Sequence, residues 1–211
     1  MELLGEWYEK GSILIFVDKQ IEADELFKEL YKVGYKALVL HGGQDQTDRE
    51  FTIQDFKDRV RNIMVATSVC ARGLDIKHLR VVINYVCPNH TEDYVHRVGR
   101  TGRAGEKGTA YTFITPDECQ YASDIIKALE NSGSKVPEAL KSLEEEYQKK
   151  VQEGEIDRKK GNVGYTGKGF EFNEKEKEKV KEFRKELSKA YNMGTEDNDE
   201  ELPDEIVKNP S

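Results

Sequence analysis

Ile13-Leu14-Ile15-Phe16-Val17 is an unbroken apolar run between the break at Gly11-Ser12 and the polar Asp18-Lys19-Gln20. A run this short and this apolar reads as a strand buried on both faces. From Gln20 the pattern changes. Ile21, Ala23, Leu26, Phe27 and Leu30 recur at helical spacing as far as Val33, and Gly34 ends that helix. A doubly buried strand that passes directly into an amphipathic helix is the opening of a βαβ unit.

The same alternation continues outward from this stretch. Ala37–Leu40 reads as a second strand, Thr47–Phe56 as a helix, and Asn62–Ala66, Val81–Tyr85 and Thr109–Ile114 as further strands. A helix over Asp117–Leu129 places Tyr121, Ile125, Ile126 and Leu129 on one face. Met1–Lys10 reads as an entering helix, and a chain that opens within a helix reads as cut from a longer one. Alternating strands and helices with short links predict an α/β fold with a mainly parallel sheet. Ligands of such sheets bind beyond the carboxyl ends of the strands. The informative positions are therefore Asp18-Lys19-Gln20, His41-Gly42-Gly43, Thr67-Ser68 and the residues from Val86 onward.

The chain has 211 residues, 36% hydrophobic and 35% charged, with net charge −8. The segment Thr195–Ser211 holds seven acids and one base, so it carries −6 of that charge, and a nucleic-acid face on the remainder is not excluded. Cys70, Cys87 and Cys119 are dispersed, as are the four histidines, so no metal site is expected and a reducing, intracellular setting is. No apolar run of about 18 residues and no signal peptide is present, which predicts a soluble protein that engages no membrane. Beyond Gly133 the composition shifts. Pro137 opens a helix with Leu140, Leu143, Tyr147 and Val151 on one face, Gly161–Gly169 is glycine-rich, and Asn173 caps a charged helix reaching Tyr191. The predicted division is a domain at 1–133, a charged helical extension at 134–194 and an acidic disordered tail at 195–211.

Three blocks carry chemistry. His96-Arg97-Val98-Gly99-Arg100-Thr101-Gly102-Arg103 places three arginines and two glycines after a helix-favouring Glu92–Val95. Planar guanidinium forks match phosphate geometry, so the block reads as a polyphosphate contact or as a solvated basic turn. Ala66–Ile76 supplies a hydroxyl at Thr67, then Arg72, Gly73 and Asp75. These residues suit a phosphate and a ribose, or else a plain helix cap and a local Arg72–Asp75 ion pair. His41-Gly42-Gly43 with Gln46 and Arg49 puts two polar side chains three apart near a helix N-terminus, where backbone donors favour anions.

In order and spacing, Ile13–Gln20, His41–Arg49, Ala66–Ile76 and His96–Arg103 resemble motif four, the HG…QxxR element, motif five and motif six of the DEAD-box RNA helicases. The resemblance covers residues 1–133 and is to the family's C-terminal RecA-like domain. It implies a three-layer sandwich and an ATP-dependent RNA helicase in the intact protein. It implies that Arg100 and Arg103 are arginine fingers reaching the γ-phosphate of ATP, with His96 and Arg97 at the interdomain contact. Asp75 is similar to the family's ribose-contacting aspartate, and Arg72 couples the nucleotide to the RNA side, with Gln46 nearby. Arg49, Gly42 and Thr67 match positions that touch the backbone of single-stranded or duplex RNA. Ser68 departs from the pattern, since most members carry Asp there.

ATP and Mg²⁺ would both be held mainly by an N-terminal RecA-like lobe. The stretch Val163–Gly169 looks like a P-loop, but Asn162 stands in place of its first glycine and Gly169 in place of the magnesium-binding Ser/Thr, and no Asp-Glu-Ala-Asp run occurs. The chain alone is therefore expected to be inactive as an ATPase. Phe16–Gln20, Ala66–Val69 with the Ser68 departure, Asn84–Val95 and Gly167–Phe172 together resemble the family's spliceosomal subgroup acting at branch-site recognition in pre-mRNA. That implies a nuclear location and splicing proteins as partners of the extension, with the domain itself monomeric. The competing reading is a non-catalytic RNA- or protein-binding module built on a helicase fold.

Overall fold

The computed structural model describes residues 1–103 and 105–156. The glycine-rich stretch at Gly161–Gly169, the charged helix at Asn173–Tyr191 and the acidic tail lie outside the described residues. Five strands, β1 (Ser12–Val17), β2 (Ala37–Leu40), β3 (Ile63–Thr67), β4 (Leu79–Asn84) and β5 (Thr109–Thr112), form one sheet in the order β2-β3-β1-β4-β5. Every neighbouring pair is parallel. β1 is central, with Ile13 opposite Ile63 on one side and Val81 on the other. All six of its residues are buried, as the apolar run requires.

Successive side chains of a strand point to opposite faces. Leu14 and Phe16 pack with Met64, Ala66, Val82, Leu40 and Phe56 on one face. Ile15, on the other face, adjoins Leu4 of α1 (Glu2–Trp7) and Leu26 and Leu30 of α2 (Gln20–Lys32). Phe56 belongs to α3 (Gln46–Lys57), so helices cover both faces and the layers number three. Gly34, at φ +89, takes the left-handed conformation that ends α2 where the sequence placed its stop.

Three elements depart from the reading of the sequence. α4 (Ser68–Ala71) is a single turn, too short to show periodicity. The helix expected from Asp117 starts as a 3₁₀ turn over Pro116–Tyr121 before α6 (Ala122–Asn131). The Glu118 carboxylate fixes that turn by accepting the Thr115 N–H at 2.9 Å. The compact unit also continues past residue 133. Gly133, at φ +67, turns the chain into α7 (Glu138–Gln152). Leu140 of α7 joins Ile125 and Ala128 of α6 and Tyr94 of α5 (Thr91–Val98) in a second apolar cluster.

Candidate functional site

Helix α5 follows β4 and aims its last turn at the carboxyl ends of the central strands. Tyr94 and Arg97, three apart, share its buried face. Arg97 is only 3% exposed. Its Nη2 donates to Asp18 Oδ1 at 2.7 Å and lies 2.7 Å from Asp93 Oδ2, and its Nη1 donates to the Val86 carbonyl at 2.9 Å. The guanidinium carbon sits 5.5 Å from the Phe16 ring centroid. Asp18 is itself fixed, because Glu22 accepts the backbone N–H groups of Asp18 and Lys19 at 3.2 and 3.0 Å. Ser68 Oγ donates to Asp93 Oδ2 at 3.3 Å. Arg97 thus ties α5 to the ends of β1, β3 and β4. The sequence reading has Arg97 and His96 supporting the interdomain contact, and within this domain the Arg97 guanidinium lies buried between two carboxylates. His96 beside it is exposed.

Arg100 and Arg103 lie past the helix end at Gly99 and are only half-buried. They are also less free than a solvated octamer implies. Arg100 Nε donates to the His96 carbonyl at 3.0 Å and Nη1 to the Leu74 carbonyl at 3.1 Å. Arg103 Nε donates to the Gly99 carbonyl at 2.8 Å and Nη1 to Asp75 Oδ1 at 3.2 Å. Thr101 Oγ1 anchors the loop from within, donating to the Leu79 carbonyl at 2.6 Å. Asp75 therefore pairs with Arg103 across the loops, and no Arg72–Asp75 bridge forms.

Burial lowers the Arg100 pKa, and the positive charges of Arg103 and Arg72 lower it further, against the opposing pull of Asp75. Arg72 and Arg103 thus add positive charge near Arg100, opposed by the one carboxylate of Asp75. Arg72 and Arg100 line a shallow pocket with Phe16, Ser68, Asp93 and His96. Their bonds to backbone carbonyls fix the Arg100 and Arg103 guanidiniums in place.

The third block sits at the end of β2. Asp45 caps α3 by accepting the Asp48 N–H at 2.8 Å. Arg49 Nη2 donates to Gln46 Oε1 at 2.6 Å, whereas its buried Nε has no acceptor. Gly42 is exposed. Thr67 is buried at the end of β3, in the N-cap position of α4 but without a side-chain capping bond. Since β3 lies between β2 and β1, Thr67 stands between the His41–Arg49 block and the arginine cluster. Among the described residues no group of His, Cys, Asp and Glu has a metal-binding arrangement, and no helix is long and apolar enough to cross a membrane.

Known proteins resemble this chain in sequence and fold. The helicase conserved C-terminal domain family matches residues 1–105. The solved structure of the E. coli DEAD-box protein SrmB, bound to regulator of ribonuclease activity A, is 30% identical with a TM-score of 0.54, and the match covers 66% of this chain and 84% of that one. The chain belongs to the DEAD-box RNA helicase family. The part of that family present here is the C-terminal RecA-like domain. The ATP-dependent RNA helicase ddx46 of Dictyostelium discoideum is 54% identical over 193 residues, 92% of this chain and 17% of the relative. The yeast DEAD-box splicing factor Prp28 is 30% identical with a TM-score of 0.59, over 78% of this chain and 36% of that one. The chain spans under a fifth of the length of the first curated relatives it matches, 17% and 19%.

Reading the DEAD-box blocks one at a time misses the residues that orient them. Asp18 was marked by its place after β1 and in the Ile13–Gln20 block, and Asp93 only as part of the stretch Asn84–Val95, yet both hold Arg97. The Leu74 carbonyl that holds Arg100 is a backbone atom and leaves no trace in the sequence.

Proposed function

We propose that this domain is the second lobe of a two-lobed ATP-dependent RNA helicase. In this reading Arg100 and Arg103 reach the γ-phosphate of ATP bound on a P-loop lobe. The observation that carries it is the gathering of Arg72 and Arg103 about Arg100 at the strand ends, with Arg103 paired to Asp75. Phosphoryl transfer needs charge stabilisation on the γ-phosphate, and an arginine finger contributes roughly 10³–10⁵ in rate. The Arg103–Asp75 pair is exposed enough to exchange partners at little cost. Asp75 can then accept from a ribose hydroxyl while Arg103 turns to phosphate. His96 faces the other lobe. Arg72 and Gln46 link the nucleotide and RNA ends of the surface. Mg²⁺ is held by the other lobe.

RNA crosses the ends of β2 and β3 and is held through its backbone by Arg49, Gly42 and Thr67. Such contacts give affinity without reading sequence. A role in pre-mRNA splicing, a nuclear location and splicing proteins as partners rest on the spliceosomal-type residues, Ser68 among them, and on the likeness to the splicing factor Prp28.

The test joins this chain to the P-loop lobe of its full-length protein. Arg100→Ala or Arg103→Ala should lower RNA-stimulated ATP hydrolysis by about 10³-fold or more with the fold intact. An unchanged rate favours the non-catalytic binding module.

A further inference from the structure

His41 closes β2 and is 3% exposed, although its neighbour Gly42 faces solvent. Both ring nitrogens are occupied. The Gly43 N–H donates to Nδ1 at 3.1 Å, so Nδ1 is the acceptor and Nε2 carries the proton. Nε2 donates that proton to Asp24 Oδ1 at 2.9 Å. Asp24 lies on the buried face of α2 with Ala23, Phe27 and Leu30, an apolar setting in which a carboxylate needs a partner. Gln44 closes the turn from the other side. Its Oε1 accepts the His41 N–H at 3.0 Å, and its Nε2 donates to the Val39 carbonyl at 3.1 Å. Gln20 presses on the same turn: a Cβ on Gly43 would stand 2.7 Å from Gln20 Oε1 and 3.0 Å from His41 Nδ1. Residues 41–44 are therefore held in one shape by groups from α2, β2 and the turn itself.

We infer that Asp24 and His41 are positioning residues. Their buried relay, from the Asp24 carboxylate through His41 to the Gly43 amide, fixes the turn that presents Gly42 and leads into the helix carrying Arg49. Neither residue touches RNA. This rests on the reading of Gly42 and Arg49 as RNA-backbone contacts. The relay acts through orientation: the Asp24 carboxylate selects the tautomer in which Nδ1 can accept, and that tautomer sets the Gly43 peptide. A turn held this way loses no freedom on meeting a phosphate backbone, and a turn without the relay does.

Substitutions separate the two ends of the relay. His41→Gln keeps a donor for Asp24 and loses the acceptor for Gly43, whereas His41→Asn keeps an acceptor for Gly43 and loses the donor. Asp24→Ala removes the carboxylate. The 211-residue chain and its variants are compared by Gly43 amide-hydrogen exchange and by anisotropy with a fluorescein-labelled ten-nucleotide poly-uridine. Circular dichroism checks the fold, and Arg49→Ala serves as the reference variant.

Faster Gly43 exchange in His41→Gln and Asp24→Ala, slower exchange in His41→Asn than in either, and RNA affinity following the same order with about a fivefold loss in His41→Gln, support the relay. Unchanged Gly43 exchange in Asp24→Ala overturns it. So does unchanged affinity in His41→Gln while Arg49→Ala weakens binding. An Arg49→Ala chain that binds RNA like wild type overturns the RNA reading itself, and with it the function assigned to the relay. If Asp24→Ala fails to fold, the two His41 variants decide, since each retains one end of the relay.

Discussion

Arg97→Met separates the buried, structural arginine of the His96–Arg103 block from the two half-buried ones. Met keeps an unbranched apolar stem as far as the Nε position. It removes the donors to Asp18, Asp93 and the Val86 carbonyl. Taking one partner from a buried ion pair costs about 3–5 kcal/mol. Here the orphaned carboxylates are 39% and 19% exposed, so water recovers part of that cost and the low end, about 3 kcal/mol, applies. Urea unfolding followed through Trp7 measures it, since this single tryptophan donates to the Tyr111 hydroxyl at 3.2 Å across the sheet edge. With a denaturant slope of about 2 kcal/mol/M, the midpoint falls by about 1.5 M. Arg103→Met removes the solvent-exposed pair with Asp75 and the exposed bond to the Gly99 carbonyl, and should cost about 1 kcal/mol. Midpoints that fall equally in the two variants, or fall further in Arg103→Met, would refute the division of labour drawn from burial.

Two further outcomes follow from packing and titration. A Cβ on Gly108 would run into the Thr101 side chain and the Gly102 backbone nitrogen, so Gly108→Ala should cost about 1–3 kcal/mol and push the arginine loop out of place. An unaltered urea midpoint contradicts this. Burial raises the Tyr94 pKa above the ordinary tyrosine value of about 10. The folded chain therefore keeps a proton that the unfolded chain releases. Tyr94's contribution is complete below the unfolded pKa and is lost as pH rises through the folded one. Unfolding midpoints measured at about pH 9 and 11 should fall less in Tyr94→Phe than in wild type, with a residual fall from Tyr121, which burial shifts the same way.

The sheet was legible because β1 and β3 carry continuous, fully buried apolar runs and β4 carries the buried Val81–Ile83, and burial leaves that mark directly. The boundary after Gly133 misled because composition does change there, while Leu140 and Leu143 still find apolar partners on α5 and α6. At the site, residue types and spacing were enough to collect the four blocks. They could not rank the three arginines, which share one chemistry. Burial does rank them: Arg97 falls one helical turn from Tyr94 on the inward face, and Arg100 and Arg103 fall beyond Gly99. That phase was readable from Tyr94. The Asp18, Asp93 and Asp24 partnerships were not, because they depend on which helix the parallel sheet brings beside which strand end.

The central claim is that this domain carries arginines for a nucleotide site that it does not itself complete. RNA-stimulated ATP hydrolysis by the 211-residue chain, alone and joined to a P-loop lobe, tests it most directly. The account predicts negligible turnover alone and RNA-dependent turnover when joined. Robust RNA-stimulated hydrolysis by the chain alone would contradict it.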